Sequence, residues 1–347
     1  MKNKLTFIAS ILTMILLLVG CSTGNESEDG DNGEKEKGRK DKIVIKFSHV
    51  GTPASIKGMA ADKFAELVDE KTDGAVEVEV FPSSQLYGDN DELDALISGN
   101  VQMINPSVSK LVKLDQRWQF ADLPYIFEDS DHVHRFFESD LAKELLESEQ
   151  LTNSGILGLT FWENGFKNFS NDKHVMTTPE DFKGMKFRAQ AGNVLEAQFK
   201  MLSAGNTTVP WGETYSALQQ GVADGAEATA NMMDTASFHE VQDHLTLSEH
   251  GRVDYAVLVN KEFWEGIPDD LRGKVHEALI EATEYEWGIA KEFNDESLEN
   301  LKNGGMEVTE LSEDEKSKIK EALQPVYDQF RDKITPELID GISELSK

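Results

Sequence analysis

Residues 43–49 read IVIKFSH and residues 75–81 read AVEVEVF, and a segment with helical periodicity lies between them. The first stretch is rich in β-branched residues and the second alternates apolar with acidic residues, and both patterns are typical of strands. Between them, residues 55–71 place Phe64 and Leu67 on one face of a helix. The order strand, helix, strand predicts an α/β domain with a largely parallel sheet.

The same alternation continues along the chain and then starts again. After a continuous apolar run at residues 155–162, which suits a central strand, a second cycle of strands and helices begins. Two α/β units in succession predict two lobes with a cleft between them, where ligands commonly bind. The predicted strands are 101–104, 186–189, 207–209, 224–229, 254–260 and 306–310, and the predicted helices are 89–98, 131–149, 193–203, 213–220, 269–303 and 312–329.

The N-terminus reads MKNKLTFIASILTMILLLVGC, with two lysines, an apolar run and a small residue before Cys21. This pattern predicts a secretory signal peptide over residues 1–20. The ending resembles the bacterial lipobox, which implies that Cys21, the only cysteine in the chain, receives lipid. Residues 22–41 carry no aromatic or aliphatic side chain, so 21–41 is predicted to be a flexible acidic tether. A plain N-terminal anchor helix is the alternative.

Composition narrows the classes of function. The chain has 347 residues, 39% of them hydrophobic, and a formal net charge of −30. Such an acidic excess argues against nucleic acid as a partner. An exported protein tethered to the membrane by lipid is also a poor match for a cytosolic enzyme. We therefore expect an extracytoplasmic protein whose folded body starts near residue 42.

Residues 177–190 read TTPEDFKGMKFRAQ, an acidic turn and a short apolar strand that ends in Arg188. A buried guanidinium is costly unless a carboxylate of the protein or of a ligand meets it. Four further candidate ligand-binding residues are Lys167, Trp211, Asn231 and Ser107. The structural alternatives are an ion pair or a snorkelling side chain for Arg188, a solvated loop position for Lys167, core packing for Trp211 and a helix cap for Asn231. Ser107 opens an S-x-x-K match that lacks its companion motifs.

Catalytic and metal-binding patterns are not legible in the sequence. It contains no G-x-S-x-G, no P-loop and no G-x-G-x-x-G motif. His132 and His134 are two residues apart, so on a helix they point to different faces, and the histidines are expected at the surface or at helix caps. We therefore predict a binding protein that is not an enzyme, with no cofactor and no metal.

Several ordered motifs resemble the extracytoplasmic solute-binding proteins of TRAP transporters, the DctP family. The resemblance covers essentially the whole body from residue 42 onward. The matching segments are FPSSQL at 81–86, SGNVQM at 98–103, LPYIF at 123–127, NGFK at 164–167, TPEDFKGMKFR at 178–188 and ETYSALQQGVADG at 213–225.

This resemblance implies a periplasmic-binding-protein-like fold, whose two lobes are joined by hinge strands and by a long helix. It places Arg188 on the ligand carboxylate through a bidentate pair, and Trp211 at a cleft aromatic. Lys167 stands where many members have a second arginine. The usual asparagine is replaced near Ala228, with Asn231 close enough to substitute. The implied lobes are 42–164 plus about 253–292, and 165–252 plus about 293–347.

Capture of an organic acid for a TRAP carrier, with its small and large membrane subunits, is thus the favoured function. A binding lipoprotein of an ATP-driven (ABC) importer, a lipid-anchored exported enzyme and a subunit that senses ligand for a receptor kinase remain alternatives. C4-dicarboxylates, sugar acids and small monocarboxylates all remain open as ligands, and Trp211 favours a ligand with a ring or polyol face.

Overall fold

The computed structural model describes residues 42–346. The predicted signal peptide, Cys21 and the tether lie outside the described residues. In the described part, nine strands alternate with helices as the periodicity predicted. The strands are β1 (Ile43–Ser48), β2 (Val76–Phe81), β3 (Met103–Ile104), β4 (Ile156–Asn171), β5 (Lys186–Ala189), β6 (Gly205–Thr208), β7 (Gly225–Ala228), β8 (His244–Asn260) and β9 (Glu307–Glu310).

The helices surround one mixed sheet, and short 3-10 turns connect several of them. The helices are α1 (Ile56–Thr72), α2 (Glu92–Ile97), α3 (Ser130–Phe137), α4 (Asp140–Leu146), α5 (Glu149–Asn153), α6 (Asn193–Met201), α7 (Thr214–Gln219), α8 (Ala230–Thr235), α9 (Lys261–Gly266), α10 (Asp269–Asn303), α11 (Glu313–Leu323), α12 (Pro325–Ile334) and α13 (Pro336–Glu344).

The strand order is β2-β1-β3-β8-β4-β7-β5-β6, and β9 pairs with β8. The β1–β2, β1–β3, β5–β6, β5–β7 and β8–β9 pairs are parallel, whereas β8 is antiparallel to β3 and β4, and β4 to β7. The predicted α/β class with a mixed, mostly parallel sheet is therefore confirmed. One parallel group lies on each side of the central β8–β4 pair, as expected of two lobes joined by hinge strands.

The central strands are longer than predicted. The predictions of 155–162 and 254–260 capture only part of β4 and β8, which pair from Ile156↔Asn260 to Asn171↔His244. Bulges interrupt the register, one of them at Gly165, whose φ of +133° disfavours other residues. A Cβ atom there would also lie 2.9 Å from Asn294 Nδ2 on α10.

Two predicted helices are in fact broken into shorter ones. The predicted helix 131–149 is α3, α4 and α5, because Ser139 caps a new helix with its hydroxyl. The predicted helix 312–329 is α11 followed by α12, and Pro325 starts the second.

The long helix α10 has 35 residues, which is about 52 Å at 1.5 Å per residue. It packs against α1, α8 and β4 and thus contacts both sides of the central strand pair. Trp162 Nε1 on β4 donates a 2.9 Å hydrogen bond to Thr283 Oγ1 on α10. Within residues 42–346, none of the helices combines the length and apolarity required to cross a bilayer.

Candidate ligand-binding site

Arg188 lies in β5 with 1% of its surface exposed, and it has no carboxylate within 4.0 Å among the described residues. Its Nε and Nη2 both donate to the carbonyl oxygen of Val209, at 3.0 Å and 2.8 Å. Burial lowers the pKa of Arg188, while the more distant Asp89 and Glu227 act in the opposite direction. The predicted buried arginine is therefore held by a carbonyl dipole and not by an ion pair.

A small cavity adjoins this arginine through Trp211, whose ring lies 5.4 Å from the Arg188 guanidinium carbon. The cavity volume of about 20 Å³ has room for about one water molecule. Its lining joins residues from both parallel groups of the sheet, which supports a site at their junction. The polar and aromatic lining residues are Thr52, Ser55, Lys57, Asp89, Ser107, Gln190, Trp211, Thr235 and Tyr255.

Two hydrogen bonds cross this cavity. Ser107 Oγ donates to Gln190 Oε1 at 3.0 Å, and the backbone N–H of Trp211 donates to Asp89 Oδ2 at 2.6 Å. The other Asp89 oxygen lies 3.9 Å from Lys110 Nζ. The cleft is therefore narrow here, and a ligand larger than water requires these contacts to open.

Lys167 lies on β4 and is buried, but a carboxylate of the protein already pairs with it. Its Nζ lies 3.2 Å from Glu227 Oε1, and His250 Nε2 lies 2.9 Å from Glu227 Oε2. Burial alone would raise the pKa of Glu227, but Lys167 and His250 outweigh it and lower this pKa to about 2. A Cβ atom at position 251 would lie 2.8 Å from Lys167 Cε, so Gly251 gives this lysine its space.

Asn231 does not cap a helix, because Thr229 is the N-cap of α8 and its hydroxyl accepts from the Met232 N–H. The Asn231 side chain instead donates to the oxygens of Asn164 and Asn294. Its own Oδ1 is buried and has no partner among the described residues. Asn231 thus ties β4, α8 and α10 together at the bulge, and it does not line the cavity.

A second buried cation, Lys57, lines the cavity at the start of α1. Its Nζ donates to the carbonyl oxygen of Asn105 at 3.2 Å and lies 3.8 Å from the centroid of the Tyr255 ring. Burial lowers the pKa of Lys57 to about 8, against the opposing effect of Glu92 and Asp89. Burial also raises the pKa of Glu92, and this effect is larger than the lowering of that pKa by Lys57.

Asp122 lies near Lys167 and accepts a 2.7 Å hydrogen bond from Ser109 Oγ. Burial raises its pKa from 3.8 to about 6, although Lys167 and Ser109 act in the other direction. Between about pH 4 and 6 the folded protein holds a proton that the unfolded chain has released, so this group makes the free energy of unfolding fall as pH rises.

We expect the Asp122→Asn variant to lack the contribution of Asp122 to the fall in the free energy of unfolding with rising pH. Relative to wild type it gains on the order of 2 to 3 kcal/mol in free energy of unfolding between about pH 4 and pH 7. Urea denaturation at both pH values measures the difference. Identical pH dependence in the two proteins would contradict the assignment.

A larger cavity of about 490 Å³ shares no lining residue with the small one. Its charged lining is almost entirely acidic, with Lys291 as the single basic side chain, so it repels an anion. An organic acid therefore suits the small cavity better. The acidic lining residues are Glu128, Asp129, Asp131, Glu163, Glu249 and Asp295.

The prediction of surface or capping histidines is wrong for three of them, His49, His132 and His250, which are all buried. His132 is buried, with Nε2 2.7 Å from the carbonyl oxygen of Ile342. His250 is also buried, and it stacks on Phe169 at 3.7 Å between ring centroids. Residues 42–346 contain no group of three or more His, Cys, Asp or Glu side chains placed to hold a metal ion.

Sequence reasoning missed the residues that line most of the cavity. Lys57, Gln190 and Tyr255 were not singled out. Lys57 follows β1 and Gln190 follows β5, so the rule that ligands bind at the carboxyl ends of parallel strands was a usable signal. Tyr255 lies inside an apolar strand, and such a pattern predicts a buried core residue.

Comparison with known proteins gives a family match over most of the chain. Residues 47–333 match the DctP model, described as bacterial extracellular solute-binding protein, family 7. The C4-dicarboxylate-binding periplasmic protein DctP of Rhodobacter capsulatus is 45% identical over 302 residues, covering 86% of this chain and 90% of that protein. The C4-dicarboxylate-binding protein DctB of Bacillus subtilis is 38% identical over 341 residues, covering 98% and 96%.

A solved structure agrees with these matches. The crystal structure of a TRAP periplasmic solute binding protein from Shewanella oneidensis, with bound succinate, has a TM-score of 0.85 and 37% sequence identity. The likeness covers 88% of this chain and 100% of that chain.

Proposed function

Because this chain belongs to the DctP family of bacterial extracellular solute-binding proteins, family 7, we propose that it captures a C4-dicarboxylate for a TRAP-type carrier. The family membership expected from the sequence motifs is confirmed. The proposed ligand class follows the relatives, which are named for C4-dicarboxylates or contain succinate.

The observation that carries this proposal is the state of Arg188. It is buried, it has no carboxylate partner within 4.0 Å among the described residues, and it lies 5.4 Å from the ring of Trp211, which lines the cavity. A guanidinium offers a planar fork of donors that matches a carboxylate. In this proposal the ligand carboxylate supplies the charge that the protein itself does not bring to Arg188.

Capture is proposed to proceed by closure of two lobes. The proposed lobes are 42–164 with about 253–292, and 165–252 with about 293–347. The Ser107–Gln190 and Asp89–Trp211 hydrogen bonds run between these two parts, which supports a closed arrangement that must open to admit the ligand. The pairing of Lys167 with Glu227 and of Asn231 with Asn164 and Asn294 favours positioning roles for both residues.

The protein is proposed to bind its ligand without converting it, and to be held at the membrane by lipid on Cys21. Cys21 lies outside the described residues, so this part depends on the lipobox-like sequence. Metabolic labelling with a fatty acid tests it, because Cys21→Ser is expected to abolish incorporation. Recovery of unchanged ligand after long incubation tests the absence of conversion.

A thermal-shift screen tests the ligand class. At a ligand concentration about 100 times Kd, binding adds about 2.7 kcal/mol of stability, which corresponds to a rise in Tm of about 4 °C for a folded body of this size. Succinate, malate and fumarate are expected to produce this rise, whereas sugar acids and alkyl monocarboxylates produce a smaller one. A library in which only sugar acids raise Tm would overturn the C4-dicarboxylate assignment.

A further inference from the structure

Lys57 is the second buried cation at the cavity that lacks a carboxylate within 4.0 Å among the described residues. Only 3% of its surface is exposed, and Lys57 is one of the residues that line the cavity. A buried ammonium without an anionic partner is costly. The question raised for Arg188, namely which anion compensates its buried charge, therefore applies to Lys57 as well.

The contacts of Lys57 leave a donor free for a ligand. An ammonium group has three N–H donors, and one of them meets the carbonyl oxygen of Asn105 at 3.2 Å. The face of Tyr255, 3.8 Å from Nζ, stabilises the charge without accepting a strong hydrogen bond. The remaining N–H donors of Lys57 are therefore left for a ligand in the cavity.

Among the described residues, no neighbouring carboxylate forms an ion pair with Lys57 within 4.0 Å, although Asp89 and Glu92 favour its charged form from further away. Asp89 accepts from the backbone N–H of Trp211 and lies 3.9 Å from Lys110. Glu92 is buried, and the burial raises its pKa. The closest partners of the Lys57 ammonium are therefore the Asn105 carbonyl oxygen and the Tyr255 ring, and neither carries a formal negative charge.

We propose that Lys57 binds the second carboxylate of a dicarboxylate whose first carboxylate is held by Arg188, and that it thereby selects dicarboxylates over acids with one carboxylate. The proposal rests on the proposed function and assigns to a residue the selectivity that this function requires. Trp211 lines the cavity together with Lys57, and its ring lies 5.4 Å from the Arg188 guanidinium carbon.

Succinate and its monomethyl ester test the proposal, because the ester keeps the carbon chain and loses one charge. Wild-type protein is expected to bind succinate on the order of 100-fold more tightly than the ester. Lys57→Met keeps the approximate length of the side chain without its charge. This variant is expected to bind succinate at most about threefold more tightly than the ester. Isothermal titration calorimetry measures both affinities, and circular dichroism verifies the fold of the variant.

Lys110→Met is the matched control, because it removes a nearby lysine charge that is already close to Asp89. It is expected to keep the wild-type ratio. An unchanged ratio in folded Lys57→Met, or an equal change in Lys110→Met, overturns the role of Lys57 while succinate binding still supports the proposed function. A wild-type protein that binds no acid overturns both.

Proton uptake by the wild-type protein decides the matter if Lys57→Met does not fold. The groups that face Lys57 are His49, Asp89, Glu92 and Lys110. A carboxylate placed beside Lys57 and Glu92 raises the pKa of both, so at about pH 8 succinate binding is expected to take up roughly half a proton or more. The ester is expected to take up almost none, and equal uptake for the two ligands contradicts the proposal. Calorimetry in buffers of different ionisation enthalpy measures this uptake.

Discussion

Arg188→Met is expected to weaken succinate binding by about 1,000-fold, or about 4 kcal/mol, in a protein that remains folded. Arg188 is buried beside the cavity and bonded only to the carbonyl of Val209. Without a ligand the guanidinium has lost its hydration and has no carboxylate to compensate, so removing it leaves no protein anion unpaired. The variant therefore loses ligand affinity and keeps most of its stability.

Arg188→Lys is the companion variant, since it keeps the charge and removes the planar fork of donors. We expect it to bind succinate with an intermediate affinity, between those of wild type and Arg188→Met. Titration calorimetry gives the affinities, and denaturation without ligand gives the stabilities. A folded Arg188→Met protein with an affinity within about threefold of wild type would remove Arg188 from the site.

Arg252→Met is expected to have the opposite profile, with a loss of about 3 to 5 kcal/mol in free energy of unfolding. Arg252 is also buried, but it pairs with Asp254 Oδ1 at 2.7 Å and with Glu163 Oε1 at 2.9 Å. Its guanidinium carbon also lies 4.5 Å from the Phe166 ring centroid. Methionine in its place leaves the buried Asp254 without its cation, and leaves Glu163 with His134 Nε2, at 2.6 Å, as its remaining partner of possible positive charge.

The loss of free energy of unfolding in Arg252→Met is expected to shrink below about pH 5, because protonation neutralises the two carboxylates that no longer have Arg252 as a partner. Urea denaturation at neutral and acidic pH measures this effect, with Arg188→Met as the matched substitution of a buried arginine that lacks ion pairs. Equal stabilities of the two variants at neutral pH would mean that the Arg252 network contributes nothing beyond its side-chain volume.

Local sequence patterns were sufficient to predict most strands and helices and to identify Arg188 as a candidate ligand-binding residue. The alternation in β2 and the periodicity of α1 are properties of short segments, so they can be read without tertiary contacts. Arg188 stood out because a charge at the end of an apolar strand requires an explanation. Lys57 did not stand out, because a lysine at the start of a helix is ordinary until packing buries it.

The sequence by itself determined the α/β class, the order of strands and helices, and the family, since these depend on periodicity and on contiguous motifs. Only the tertiary structure decided that residues 163–171, which read ENGFKNFSN, belong to a central strand. The physical reason is that buried polar groups need partners, and here the partners are distant in sequence. Glu163 meets Arg252 and Lys167 meets Glu227 across the paired strands, contacts that no local pattern encodes.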